Sequence, residues 1–68
     1  MKFKNIEDVQ RQIKLIEDTK GDDEMAHSFE DELYIETLKL IAEGGANPIK
    51  LAKMALTAKA IDFARWRA

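Results

Sequence analysis

Apolar residues return at Ile6, Val9, Ile13 and Ile16, spaced by three, four and three, with Leu15 beside them. That period matches one stripe of an α-helix. Asn5 stands before the stripe as an N-cap residue, Asp8 follows three positions on in a capping-box-like arrangement, and Glu7 lies in the electropositive first turn. A first helix is predicted over about 6–19, ended by the base Lys20 and by Gly21, which tolerates positive φ.

The next apolar set is broader. Met25, Ala26, Phe29, Leu33, Tyr34, Ile35, Leu38, Leu40, Ile41 and Ala42 cover more than one stripe, most of all beyond Leu33. No glycine or proline interrupts the run, Asp22 or Asp23 serves as N-cap, and Glu24 falls in the first turn, so a second helix is predicted over about 23–43, some 30 Å long. A helix apolar on several sides must touch two neighbours or reserve a face for another chain. Tyr34, Ile35 and Leu40 are the rim that would otherwise meet water, and they form the expected interaction surface.

Gly44 and Gly45 suit a left-handed C-cap, and Asn47-Pro48 reads as an N-cap followed by proline at the first helical position. A third helix is predicted over about 48–59, where Ile49, Leu51, Ala52, Met54, Ala55 and Leu56 make an alanine-rich surface that allows close approach of a neighbour. A short helical turn is predicted over 62–67, capped by Asp62, with Ile61 stapled to Trp66 and with Phe63 and Trp66 as an apolar lid. Alternation of β-branched residues is absent. The expected fold is all-α, a three-helix bundle with a C-terminal turn, in one domain over 1–68.

Size changes the picture. A chain of 68 residues buries only about 60% of the surface it exposes when unfolded, so its stability margin is small. With no cysteine, neither disulfides nor a thiolate metal site offset this, which leaves association with a partner, a second copy above all, as the expected remedy. No apolar stretch is long enough for a signal peptide or a membrane span, and a cytoplasmic compartment without membrane attachment is the expectation. The net charge of −2 is unevenly spread: eight acids against Lys39 from Asp22 to Glu43, then five bases against Asp62 from Ala46 to Ala68.

The single histidine, His27, has Asp23 and Asp31 four residues away on either side and Glu24 and Glu30 three away. Histidine and carboxylates on successive turns are the donor set of a divalent metal site, here completed by Glu7, Asp8, Glu17, Asp18 or Asp62. One helix seldom completes such a site, and a polar face with an imidazole among carboxylates explains the same residues; no metal and no cofactor are expected. Catalysis is not expected, since there is no cysteine and no Gly-x-Ser-x-Gly elbow. The acidic runs Asp22-Asp23-Glu24 and Glu30-Asp31-Glu32 could imitate a phosphate backbone, although a solvated helix face accounts for them. The bases Lys50, Lys53, Lys59, Arg65 and Arg67, with Trp66 among them, suit a DNA-associated regulator, although complementing the acids of the second helix is the simpler role. The Gly44–Pro48 turn departs from a DNA-reading helix-turn-helix, because the following helix starts with one lysine among apolar groups.

Ala26-His27, Glu30-Asp31 and Leu33, then a glycine-containing turn, an alanine-rich helix and the ending Ile61-Asp62-Phe63-x-Arg65-Trp66, together resemble small helical proteins encoded by bacteriophages and prophages. The resemblance spans about residues 22–68 and carries no assigned activity. It implies a setting in the cytoplasm of a host bacterium and a non-enzymatic accessory role, by protein–protein interaction with host or phage machinery. It further implies that His27, Glu30, Asp31, Asp62 and Arg65 belong to one structural polar cluster, with an Arg65–Asp31 ion pair tying the tail to the second helix.

Overall fold

A computed structural model describes residues 2–63. Three helices follow in order: α1 over Ile6–Asp18, α2 over Asp23–Ala42 and α3 over Pro48–Leu56, the last continuing as a 3-10 turn over Thr57–Ala60. There is no strand among the described residues, and each helix packs against the other two. The expected three-helix bundle is the observed fold.

The start of α1 is fixed by three bonds that meet at Asp8. The Asp8 backbone N–H donates to Asn5 Oδ1 at 3.2 Å, and the Asp8 carboxylate accepts from the Lys4 backbone N–H at 2.8 Å and from Arg11 Nη1 at 2.8 Å. The Lys4 bond foremost, with help from Arg11, holds the Asp8 carboxyl below its ordinary pKa. At the other end the Thr19 hydroxyl donates to Leu15 O at 2.8 Å, so a side chain closes the helix. Gly21 follows without taking a positive φ. Asp22 caps α2 by accepting the Met25 backbone N–H at 3.1 Å.

Between α2 and α3 the chain makes a Schellman turn. Gly44 takes φ 89, its N–H donates to Ile41 O at 3.1 Å, and the Gly45 N–H donates to Leu40 O at 2.9 Å. Gly45 is needed for space: a Cβ there would stand 2.8 Å from Leu40 Cγ and 2.9 Å from Leu40 O. Asn47 differs from expectation. It precedes Pro48 as N-cap, but its side chain makes no cap bond, because the residue is left-handed at φ 56, ψ 59 and the extended backbone that aims a capping side chain is absent. Its tolerance of that region is what the turn uses.

The core is built from Phe3, Val9, Ile16, Ala26, Leu33, Leu40, Leu51, Ala55, Ala58, Ile61 and Phe63. On α2 the buried row runs Ala26, Glu30, Leu33, Thr37, Leu40, spaced alternately by four and three, the seam a helix presents to a close neighbour. Leu40 is thus a core residue, 6% exposed, and not part of an outward rim, because it lies two turns beyond Leu33 and beneath Gly45. On α1 the row is Val9, Gln12, Ile16. Buried Gln12 reaches across to α2, its Nε2 donating to Phe29 O at 3.0 Å and to Glu32 Oε1 at 2.9 Å.

Candidate interaction surface

The face of α2 opposite its seam carries Glu24, Ser28, Asp31, Ile35, Leu38 and Ala42, all exposed. Their spacing again alternates four and three, so they form a second continuous stripe, charged toward the N-terminus and apolar toward the C-terminus. On α3, Ile49 and Leu56 are seven apart and share a stripe, with Ala52 between them. Exposure is high for large apolar side chains: 52% at Ile35, 66% at Leu38, 72% at Ile49 and 58% at Leu56. Between the two stripes lies an open groove of about 480 Å³, with Tyr34, Leu38 and Ile41 on one wall and Ala52, Leu56 and Lys59 on the other.

Of the three residues expected at this surface, Ile35 is exposed, Tyr34 is half-buried in the groove wall, and Leu40 is in the core. Leu38 and Leu56 line the groove, and Ile49 is exposed on α3 beside a separate hollow. The signal for Leu38 was the spacing from Asp31 through Ile35 to Ala42; for α3 it was the pair Ile49 and Leu56 two turns apart. Thr37, at the groove floor, is 2% exposed, and its hydroxyl has no hydrogen-bond partner. Such a group costs about 1–3 kcal/mol.

Lys59 lines the groove, whereas Lys50 and Lys53 line a separate hollow with Ile49. Lys50, Lys53 and Lys59 are exposed, and none has a carboxylate within ion-pair distance among the described residues. No acid occurs from Gly44 to Ile61, while the outer stripe of α2 shows Glu24 and Asp31.

The expected polar cluster is brought together in part. His27 Nε2 lies 3.5 Å from Asp31 Oδ1, with side chains 32% and 63% exposed, a solvated pair on successive turns. Glu30 turns away from them into the bundle, 5% exposed, because it stands in the seam four residues after Ala26. It is a buried acid and not a member of a surface face. Asp62 is exposed. Arg65, Arg67 and Trp66, and with them the Arg65–Asp31 pair, the Ile61–Trp66 staple and the 62–67 turn from Ala64 onward, lie outside the described residues. Among the described residues no three His, Cys, Asp or Glu side chains are grouped to hold a metal ion, and no helix is long and apolar enough to cross a membrane.

No family model, no curated protein and no solved structure matches this chain. The surface itself is therefore the ground for any functional reading.

Proposed function

We propose that this chain is a non-enzymatic interaction protein that works by docking the α2–α3 face onto another protein chain. The observation that carries the reading is the pair Leu38 and Leu56, each more than half exposed on opposite walls of an apolar groove, with Ile35 and Ile49 likewise exposed on the same two helices. A small domain has little apolar area to spare, and contiguous exposed patches mark contact sites more often than they are left idle. The resemblance of the sequence pattern to phage and prophage proteins adds the proposed setting: an accessory protein in a bacterial host cytoplasm, acting on host or phage machinery. The test is site-specific photo-crosslinking in the producing cell, with the reactive residue at Leu38, at Leu56 or at Gln10, which is exposed on α1. Protein adducts from positions 38 and 56, with none from 10, are expected. Absence of adducts from the two groove positions would remove the reading.

A second reading, a DNA-associated regulator, is favoured by one observation: Lys50, Lys53 and Lys59 are exposed and have no carboxylate within ion-pair distance among the described residues. Phosphate contacts by these side chains would make binding steeply salt-dependent. A gel shift at two salt concentrations decides it: a complex that weakens with salt supports the DNA role, and no complex at low salt ends it.

A further inference from the structure

The outward face of α3 sets large aliphatic side chains among free cations. Ile49, Lys53 and Leu56 recur by four and three along one line, opposite the buried Leu51, Ala55 and Ala58. Ile49 is 72% and Leu56 58% exposed. Lys50 and Lys53 stand on the same face and Lys59 follows on the 3-10 turn, all three exposed. An open hollow of about 640 Å³ lies on this face, lined by Pro48, Ile49 and Met54 together with Lys50 and Lys53.

We propose that this face binds a lipid surface of negative charge, with α3 lying flat in the interface. Ile49 and Leu56 enter the boundary between headgroups and acyl chains, and Lys50, Lys53 and Lys59 engage the headgroup phosphates. The face points away from the bundle, and only Leu56 and Lys59 among these five also line the α2–α3 groove, so lipid binding and protein docking in the groove stand or fall separately.

The mixture of side chains selects the lipid. A helix in a membrane interface buries its aliphatic residues while lysines reach back to the headgroups, their alkyl stems covering apolar surface. A nucleic acid offers phosphates to the lysines but nothing apolar to Ile49 and Leu56, and no aromatic residue occurs from Asn47 to Ala60 to stack on a base. An acidic protein would have to alternate carboxylates and apolar sites at the spacing of this helix, whereas an anionic leaflet supplies both at every position. Charge then sets the orientation. The chain as a whole carries −2, but no acid occurs from Gly44 to Ile61, while Glu24 and Asp31 stand exposed on α2. Attraction to an anionic surface is therefore local to α3, reversible and salt-sensitive. The expectation of no membrane attachment was drawn from the length of apolar stretches, and a helix lying in the interface is not selected by length.

Flotation of the purified full chain with vesicles tests this, using phosphatidylcholine alone or mixed with an equal share of phosphatidylglycerol, at low and at physiological ionic strength. Flotation with the phosphatidylglycerol vesicles only, weakening as salt rises, is expected. Each lysine near such a surface contributes about fivefold in affinity, so Lys50→Gln with Lys53→Gln should lower binding about 25-fold. Ile49→Ser with Leu56→Ser should lower it roughly tenfold or more with the far-ultraviolet circular dichroism unchanged, since both positions are exposed. Lys14→Gln with Lys20→Gln alters net charge equally, at exposed sites away from α3, and should leave binding as it was. The chain has no cysteine, so an environment-sensitive dye can be placed on Ile49→Cys or on Gln10→Cys; its emission should shift to the blue on the anionic vesicles at 49 and not at 10. No flotation at low salt, equal losses from the two lysine pairs, or a blue shift at 10 without one at 49 would overturn the proposal. A chain that shifts duplex DNA in a gel but ignores the vesicles would overturn it as well, in favour of the DNA role.

Discussion

Leu40→Ala is the substitution that most sharply tests the assignment of faces on α2. Leu40 is 6% exposed, in the seam with Leu33 and under Gly45, whereas Leu38, two residues earlier, is 66% exposed. Truncating a buried leucine loses transfer free energy and leaves a cavity, together about 2–5 kcal/mol. The contact with Gly45 places this site at the closure of the α2–α3 turn, where the chain has limited freedom to collapse into the void. For a domain of 60–100 residues each kcal/mol moves the melting temperature by roughly 4–8 °C, so a loss of 10 °C or more is expected. Leu38→Ala removes the same atoms from a site that is already wet and should cost no more than about 0.5 kcal/mol. The assay is thermal and urea denaturation of both variants, followed by circular dichroism at low micromolar concentration so that association contributes little. Equal losses, or the larger loss at Leu38, would refute the register of α2 and with it the surface drawn from Ile35, Leu38, Ile49 and Leu56.

Gln12→Leu keeps the side-chain volume but removes both bonds to α2, and destabilisation of about 1–2 kcal/mol by urea unfolding is expected; an unchanged midpoint would show that the amide is dispensable. Gly44→Ala forces a β-carbon into the φ 89 backbone and should cost about 1 kcal/mol, whereas Gly21→Ala, with open space and no positive φ, should be neutral or slightly stabilising; comparison of their melting temperatures checks the difference. Asp8 has its folded pKa depressed, so its contribution to stability is complete above the ordinary aspartate value near 3.9 and is lost as pH falls through the depressed value. Asp8→Asn should therefore flatten the acid limb of a stability profile taken from pH 5 downward, and an identical limb would remove the cap from the account.

Helix positions were legible because caps and breaks are local. Asn5, Asp22 and Gly44 act within three or four residues of themselves, and the segments begin or end where those residues say. The facing of α2 was harder to read. Its buried seam includes Glu30 and Thr37, so a reading that follows apolar density is drawn away toward Tyr34, Ile35 and Leu40. The repeat from Ala26 to Leu33 to Leu40, seven and seven, was the signal that separates core from surface. Gln12 was hidden for the same reason: it lies midway in the row from Val9 to Ile16, but its polarity argues for water until the acceptors on α2 are known. Phe3 lies ahead of the first helical residue, and no local rule foretells that it is 2% exposed. Asn47 shows a residue suited to two roles, capping and left-handed backbone, of which the turn uses the second.

The Gln12 clasp also keys α1 to α2. Its acceptors on α2, a backbone carbonyl and a carboxylate oxygen, are both within 3.0 Å, so sliding α1 by one helical step of about 5.4 Å would break both bonds together. The seat of α3 against α2 is different in kind: alanine, leucine and isoleucine surfaces keep their dispersion contacts through small sideways shifts. The first two helices are thus keyed to each other by a polar clasp, and the third is seated on α2 through apolar surfaces.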